Sequence, residues 1–446
     1  MTASSHRAIE TNVPRYTSYP TAPHFHKGVG AGTVAGWLDA IPQGDALSLY
    51  LHIPYCDRLC WFCACHTKQT LRYDPVSEYL QALHAEIRTV GARIAGRAAV
   101  RAIHWGGGSP TMLKPEDMKA LRAEIDKAFA VAPDVEFSIE IDPNDMGDER
   151  LDMLAEIGMN RASLGVQDFD ERVQKAINRD QSFELTAGIV EGLRERGVRS
   201  VNLDLLYGLP HQTLNTLAAT LDQALSLRPD RIALFGYAHV PWFKKHQTMI
   251  DEEALPKGLE RLAQARAAAQ RVVAEGYEAI GIDHFALPGD SLAIAARQGR
   301  LRRNFQGYTD DRCETLIGLG PSSVSRYRDG YAQNIVATAD YCRVVSDGEL
   351  AAARGIAFSD DDRMRGWAIE RLMCDFALST RGLLDRFGPP AQALLAEATI
   401  LAQSPMSGLR QDGDLFTITD QTMTRLVASH FDPYFAKGGA RHSVAV

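Results

Sequence analysis

Between residues 47 and 276 the chain alternates strand-like and helix-like segments, and this regularity limits the fold more than any other feature. Short apolar or alternating runs at Leu47–Ile53, Ala99–Trp105, Val135–Ile141, Asn160–Val166, Val198–Leu206 and Ile232–Tyr237 fit strands. Helical spacing follows at Ser77–Gly91, Pro115–Ala130, Glu149–Ile157, Phe183–Arg196, Leu214–Leu227 and Leu259–Glu275. Pro115 opens one helix, and Gly197 and Gly276 stop two others. Strand–helix units in series require a parallel sheet covered by helices. Six units fall short of the eight that close a barrel. The predicted fold is therefore α/β, a partial (β/α)6 TIM-like barrel, with an open doubly wound sheet as second choice. In either architecture chemistry belongs at the C-terminal ends of the strands.

The flanks read differently. Residues 1–46 form an irregular N-terminal arm containing Pro14-Arg15-Tyr16-Thr17-Ser18-Tyr19-Pro20-Thr21, and the barrel is assigned to 47–290. Residues 291–359, punctuated by Gly307, Gly318, Gly320 and Gly330, read as a loop-rich active-site cover. Residues 360–446 read as helices plus a hairpin at Asp412-Gly413, a small, mostly helical, winged-helix-like domain. The formal net charge of −8 argues against a protein whose main work is coating nucleic acid, so this domain is expected to be a lid or docking module. No run approaches the roughly 18 apolar residues of a membrane helix. Met1–Glu10 lacks the apolar centre of a signal peptide. A cytoplasmic, monomeric protein is expected.

Four of the 7 cysteines fall within ten positions, as Cys56-x3-Cys60-x2-Cys63-x-Cys65. Cys313, Cys342 and Cys374 are scattered. Clustered thiols in a reducing compartment indicate metal or redox chemistry. A structural zinc site usually pairs two separated knuckles, and no second Cys or His pair follows here. Three thiolates at this spacing suit three corners of a [4Fe–4S] cubane, with Cys65 pointing elsewhere. One iron then keeps an open position, as a catalytic metal needs. A zinc knuckle is the alternative. Gly106-Gly107-Gly108-Ser109-Pro110 follows the second strand and permits close backbone approach. Polar residues gather at the later strand ends: Glu140, Asp142, Gln167, Arg179 and Asp204, with Ala238 just past the sixth. A charge such as Asp204 inside an apolar strand needs a partner.

The C-x3-C-x2-C loop after a first barrel strand, with Phe62 before the third cysteine, resembles the radical S-adenosylmethionine superfamily. Several further segments resemble, in order, the oxygen-independent coproporphyrinogen III oxidase family. They are residues 14–22, Cys65, His104–Pro110, Asn202–Pro210, Asp283-His284-Phe285-Ala286 and Arg303-Asn304-Phe305-Gln306-Gly307-Tyr308-Thr309. Ser109 stands where that family has threonine, Trp61 where tyrosine is common and Ala64 where glycine is common. None of these changes removes a ligand.

The resemblance implies oxidative decarboxylation of two propionates of coproporphyrinogen III to vinyl groups, giving protoporphyrinogen IX in haem biosynthesis. It implies a [4Fe–4S] cluster on Cys56, Cys60 and Cys63 and two S-adenosylmethionine molecules. Tyr50, Gly107, Glu140 and Val324 match contacts to the first. Phe62, Gly108, Ser109, Gln167, Arg179, Asp204 and Ala238 match contacts to the second. Tyr50, Glu140, Cys65, Phe305 and Gln306 match catalytic positions, the last two closing over the site. Arg15, Arg302 and Arg303 are candidate partners for the substrate carboxylates. An electron donor such as flavodoxin or ferredoxin is implied. A haem-binding chaperone of the same superfamily is the alternative reading, against which Cys65 and the 304–309 motif speak.

Overall fold

The computed structural model describes residues 11–436. The outermost residues assigned above to the arm (1–10) and to the C-terminal domain (437–446) lie outside this range, and so does the reading of Met1–Glu10. Six parallel strands form the centre: β1 Asp45–Ile53, β2 Ala98–Gly107, β3 Ala130–Ile141, β4 Arg161–Gln167, β5 Ser200–Tyr207 and β6 Arg231–Gly236. They pair in chain order, each parallel to the next. The intervening helices include Asp74–Ile94, Pro115–Ala128, Asp148–Glu156, Phe183–Glu195, Leu214–Ser226 and Gly258–Ala274. This is the expected partial barrel.

Alternation along each strand explains how a barrel can be both stable and reactive. Leu47, Leu49, Leu51 and Ile53 of β1 join Phe137, Ile139, Leu164, Leu203 and Leu234 in one fully buried apolar cluster with the covering helices. Successive side chains point to opposite faces. The residues between them therefore share the inner face: Ser48, Tyr50 and His52 on β1, His104 on β2, Ser138 and Glu140 on β3. Ser163, Asn202 and Asp204 continue that row on β4 and β5. Register brings Tyr50 abreast of His104, and His104 abreast of Ser138. Glu140 likewise lies abreast of Ser163, and Ser163 of Asn202. Burying the outer row supplies the hydrophobic stabilisation, which leaves the inner row free to be polar.

The sheet does not stop at six strands. Thr315–Leu319 adds in parallel to the free edge of β1, with Leu49 opposite Ile317. Val324–Tyr327, Gly330–Asn334 and Ala352–Ala357 follow antiparallel. On the far edge, His284–Ala286 runs antiparallel to β6, and Glu278–Ile280 beyond it. The stretch 291–359, read as loop-rich, thus contributes four strands to a 12-stranded sheet. Its glycines are close-packing positions as well as breaks. A Cβ on Gly330 would lie 2.2 Å from the Ile356 carbonyl oxygen, and one on Gly318 2.9 Å from that of Val324. Strands of four to six residues give too short a period to be seen in sequence.

A second, smaller core lies in the C-terminal region. Asp360–Asp375, Thr380–Phe387 and Ala391–Ala402 pack with a three-stranded sheet. Leu409–Asp412 and Leu415–Ile418 form the expected hairpin, closing with Asp412 opposite Leu415. Ala377–Ser379 adds a third strand. Val13, Tyr16 and Tyr19 of the arm are buried in this core, and Tyr16 Oη donates to Asp432 at 3.1 Å. The arm's aromatics therefore have a structural occupation: they fasten it to the C-terminal domain. No helix among the described residues is long and apolar enough to cross a membrane.

Candidate active site

The cysteine loop leaves the C-terminal end of β1, where a parallel barrel places chemistry. Tyr55–Cys56 pairs with Lys68–Gln69 and closes the loop at its base. Cys60 is buried, Cys56 and Cys63 are half-buried, and Cys65 is exposed. The loop is held by backbone contacts from distant segments. Trp61 N donates to Ile177 O at 2.9 Å, and Asn178 Nδ2 donates to Leu59 O at 2.9 Å. From the far side Lys244 Nζ donates to Cys65 O at 2.8 Å, and Gln247 Nε2 to Phe62 O at 2.8 Å. His246 Nε2 lies 2.6 Å from Cys63 O. Gln247 also reaches Ala238 O at 3.2 Å, tying the cysteine loop to the end of β6.

Burial, together with the neighbouring Cys63 and Cys60, pushes the Cys56 thiol up. Burial also raises Cys60, while Arg179 counteracts it. Cys63 is drawn down to about 7, chiefly by a hydrogen bond with Cys65. Buried thiolates in one loop need a bound cation to be stable. Cys56, Cys60 and Cys63 bring three soft thiols from one loop to the end of β1, a donor set that suits an iron–sulfur cluster.

Beside the loop is a cavity of about 430 Å³. Tyr50, Cys65, Gly107, Glu140, Phe305, Gln306 and Val324 all line it. Every residue matched to a catalytic position, and every one matched to the first S-adenosylmethionine, thus faces one chamber. Glu140 is fixed there: Gly107 N donates to Oε2 at 2.9 Å, and His104 Nε2 lies 3.3 Å from Oε1. Burial alone would raise the Glu140 carboxyl, but the bonds from His104 and Gly107 and the nearby His52 outweigh it and hold the group low. Tyr50 Oη lies 2.9 Å from His52 Nδ1, and the Tyr50 ring stacks on His104 at 5.7 Å. Burial, with Glu140 and Cys65 nearby, keeps the Tyr50 hydroxyl protonated.

The glycine run answers first to the protein itself. Gly107 has φ +112°, and a Cβ there would sit 2.5 Å from the His52 ring. A Cβ on Gly106 would strike the Glu140 carboxylate at 2.7 Å. Only glycines let β2 pass between these two side chains.

The remaining matched residues do not line that chamber. Arg179 Nη1 donates to Asp142 Oδ2 at 3.1 Å and reaches Cys60 Sγ at 3.5 Å, while Nη2 donates to Gly165 O at 2.7 Å. Gln167 ends β4 in the left-handed region at φ 66°. Both lie against Gly165, where a Cβ would meet Gln167 at 2.8 Å and Arg179 at 3.1 Å. Asp204 accepts from Ser163 at 3.1 Å and Asn202 at 2.8 Å, and burial lifts it to about 6. Ser109 Oγ donates to Asp145. Phe62 packs against the buried Val173, Ile177, Leu209, Tyr237 and Ile250. Gly108 N donates to Ile53 O at 2.7 Å. Ala238 lines a second cavity on the other side of Arg303. Of the candidate substrate cations, Arg302 is already paired with Glu314 at 3.0 Å. Sequence reasoning missed His52, His246 and Gln247; the last two act on residues some 180 positions away, through backbone carbonyls that carry no residue signature.

The fold, the thiol loop and the chamber define an enzyme of the radical S-adenosylmethionine class, and residues 50–224 match the model of the Radical SAM superfamily. The oxygen-independent coproporphyrinogen III oxidase of Paracoccus denitrificans is 48% identical over 446 residues, covering 98% of this chain and 97% of that one. Its counterpart in Pseudomonas aeruginosa is 39% identical, covering 96% and 95%. The structure of coproporphyrinogen III oxidase from Escherichia coli, described as a radical SAM enzyme, superposes with a TM-score of 0.90 at 35% identity, over 95% of this chain and 100% of that one. The chain belongs to the oxygen-independent coproporphyrinogen III oxidase family.

Proposed function

We propose that this protein converts two propionate side chains of coproporphyrinogen III to vinyl groups, yielding protoporphyrinogen IX. The observation that carries the reading is the single chamber beside the cysteine loop, lined together by Tyr50, Cys65, Gly107, Glu140, Phe305, Gln306 and Val324. Whole-length relatives named as this oxidase favour it over the haem-chaperone alternative.

Cys56, Cys60 and Cys63 would hold a [4Fe–4S] cluster that, with S-adenosylmethionine, supplies a 5′-deoxyadenosyl radical to take a hydrogen atom from the propionate β-carbon. The chain's own groups position and enclose. Glu140, kept ionised by His104 and the Gly107 amide, offers its carboxylate to the ammonium group of the first S-adenosylmethionine. Tyr50, oriented by His52, offers a neutral hydroxyl beside it. Arg179, Asp204, Gln167 and Ser109 line the approach to a second S-adenosylmethionine, with Phe62, Gly108 and Ala238 packing around it. Phe305, 39% exposed, and Gln306 stand over the chamber and exclude water from the reacting carbon. After hydrogen abstraction the substrate loses carbon dioxide and one electron to an acceptor, which leaves the vinyl group. A low-potential one-electron donor such as flavodoxin or ferredoxin would supply the electron to the cluster that Cys56, Cys60 and Cys63 hold.

The test is an anaerobic assay of reconstituted protein with S-adenosylmethionine, reductant, coproporphyrinogen III and a crude extract as electron acceptor. 5′-Deoxyadenosine and protoporphyrin should rise together. Deoxyadenosine without decarboxylation would mean a different substrate. A brown, folded protein that forms neither would overturn the reading.

A further inference from the structure

The thiol loop carries an outer rim that the chemistry above does not use. Leu71, 86% exposed, and Phe243, 72% exposed, are the most solvent-open large apolar side chains among the described residues. They stand on the two segments that grip the loop. Thr70, next to Leu71, donates its N–H to Cys56 O at 2.9 Å. Lys244, next to Phe243, donates from Nζ to Cys65 O at 2.8 Å, and His246 Nε2 lies 2.6 Å from Cys63 O. Each apolar side chain is thus one residue and one hydrogen bond away from a cysteine backbone. The two segments border one patch: Lys244 and Lys68 both act on His66, whose imidazole is lowered chiefly by burial and then by these charges. Charge around the patch is of one sign. Residues 55–72 and 240–250 hold Arg58, Lys68, Arg72, Lys244 and Lys245 against a single acid, Asp57, in a chain of net charge −8. Lys68, Arg72 and Lys245 are exposed. Beyond the second segment, Glu252 is already engaged with His239 at 2.9 Å.

A single exposed leucine says nothing. Apolar side chains ringed by charge mark an interaction surface, and opposite charge on a partner steers the encounter. Electron-transfer complexes need only a small contact of this kind. The place of the patch selects among acidic partners, because it adjoins the backbone of Cys56, Cys63 and Cys65, where an electron has to be delivered. We propose that this rim docks an acidic one-electron carrier protein, with Leu71 and Phe243 as apolar contacts and Lys68, Arg72 and Lys245 as the charges that steer it. One electron leaves the carrier and is taken up by the group that Cys56, Cys60 and Cys63 would hold; no bond between the two proteins forms or breaks. This rests on the function proposed above and adds the surface that receives its electron donor.

The experiment uses the reconstituted holoenzyme and two acidic probes, a flavodoxin and a ferredoxin. Binding of each oxidised probe is read by calorimetry at low salt. Formation of 5′-deoxyadenosine without porphyrinogen is driven either by reduced flavodoxin or by dithionite, a small reductant that needs no docking surface. The parent should bind flavodoxin, and added salt should weaken the complex. Arg72→Glu/Lys245→Glu should bind it about tenfold or more weakly and lose the flavodoxin-driven rate in proportion. The dithionite-driven rate should stay parental, which also establishes that the variant is folded. Leu71→Ser/Phe243→Ser should weaken binding while leaving its salt dependence intact. Parental affinity and parental flavodoxin-driven rates in both variants overturn the inference, and so does a parent that binds neither probe at low salt. A parent that takes electrons from flavodoxin and forms 5′-deoxyadenosine but no protoporphyrinogen overturns the proposed activity and leaves the docking surface standing.

Discussion

The two cavities that meet at Arg303 are built by opposite means. The first takes Tyr50, Cys65, Gly107 and Glu140 from three consecutive strand ends and the loop after β1. Two of its charged groups are held by partners within the protein: Glu140 by His104 and the Gly107 amide, Arg302 by Glu314. The second takes Arg15 from the arm, Arg261 from the last barrel helix, Arg303 from the insertion and Arg425 from the C-terminal region. Asp283 is the one carboxylate among its described lining residues. A βαβ scaffold delivers neighbouring strand ends to one place, so it can fix a reaction centre with residues close in sequence. The second cavity draws on segments far apart in sequence, which only packing brings together.

The sharpest way to break this contrast is at the first chamber. Cys56→Ser should abolish both 5′-deoxyadenosine and protoporphyrin and lower the bound iron. Iron content and activity at the parental level would show that Cys56 is not a cluster ligand.

Next in size is the anchor of the arm. Tyr16→Ala removes a buried ring and its bond to Asp432, and should destabilise the C-terminal core by about 3–5 kcal/mol. Substrate-free S-adenosylmethionine cleavage should not fall with it. Differential scanning calorimetry and a 5′-deoxyadenosine assay together check this. An unchanged melting profile would show that the arm is not held by this contact.

A smaller effect is expected within the first chamber. Glu140→Gln keeps the shape but loses the charge that accepts from Gly107 and His104. It should weaken S-adenosylmethionine binding by about 1.5–3 kcal/mol, roughly tenfold to a hundredfold. Equilibrium dialysis should show this with porphyrin binding unaffected.

The smallest effect concerns a buried carboxyl under the added strands. Glu86 is buried between the helix Asp74–Ile94 and the added strands, accepting from Gly320 N and Asn334 Nδ2 at 2.7 Å each and from Tyr341 Oη at 2.6 Å. Burial raises its carboxyl from the ordinary 4.5 to about 7, against the pull of those donors. The folded state thus holds a proton that the unfolded state releases near 4.5. This contribution to stability is complete below about 4.5 and is lost as pH rises through about 7. Denaturant titrations across that window should show a slope that Glu86→Gln removes. Identical slopes would show that Glu86 does not titrate there.

Much of this was legible in the sequence. The six barrel strands and their helices fell within a few residues of their expected bounds, because 2.0- and 3.6-residue periods are local properties. The hairpin at Asp412-Gly413 was legible for the same reason. The strands from Thr315 to Ala357 were not, since four to six residues with glycines at close-packed positions resemble loop. Among site residues, the thiols, the glycine run and Glu140 announced themselves by spacing or by standing at a strand end. His52 did not: it is one inner-face residue among several, and its role comes from Tyr50 and from the absent Cβ of Gly107. Gln247 gave no signal, since it holds the carbonyls of Phe62 and Ala238.

By itself, then, the sequence determined the barrel, the location of its reactive edge and the thiol chemistry there, all of which follow from periodicity, burial and ligand softness along short stretches of chain. The tertiary structure alone decided which charged side chains meet. It set Arg302 against Glu314 and brought Arg15, Arg261, Arg303 and Arg425 to one cavity. Charge pairing depends on distances between residues hundreds of positions apart, and no local pattern encodes them.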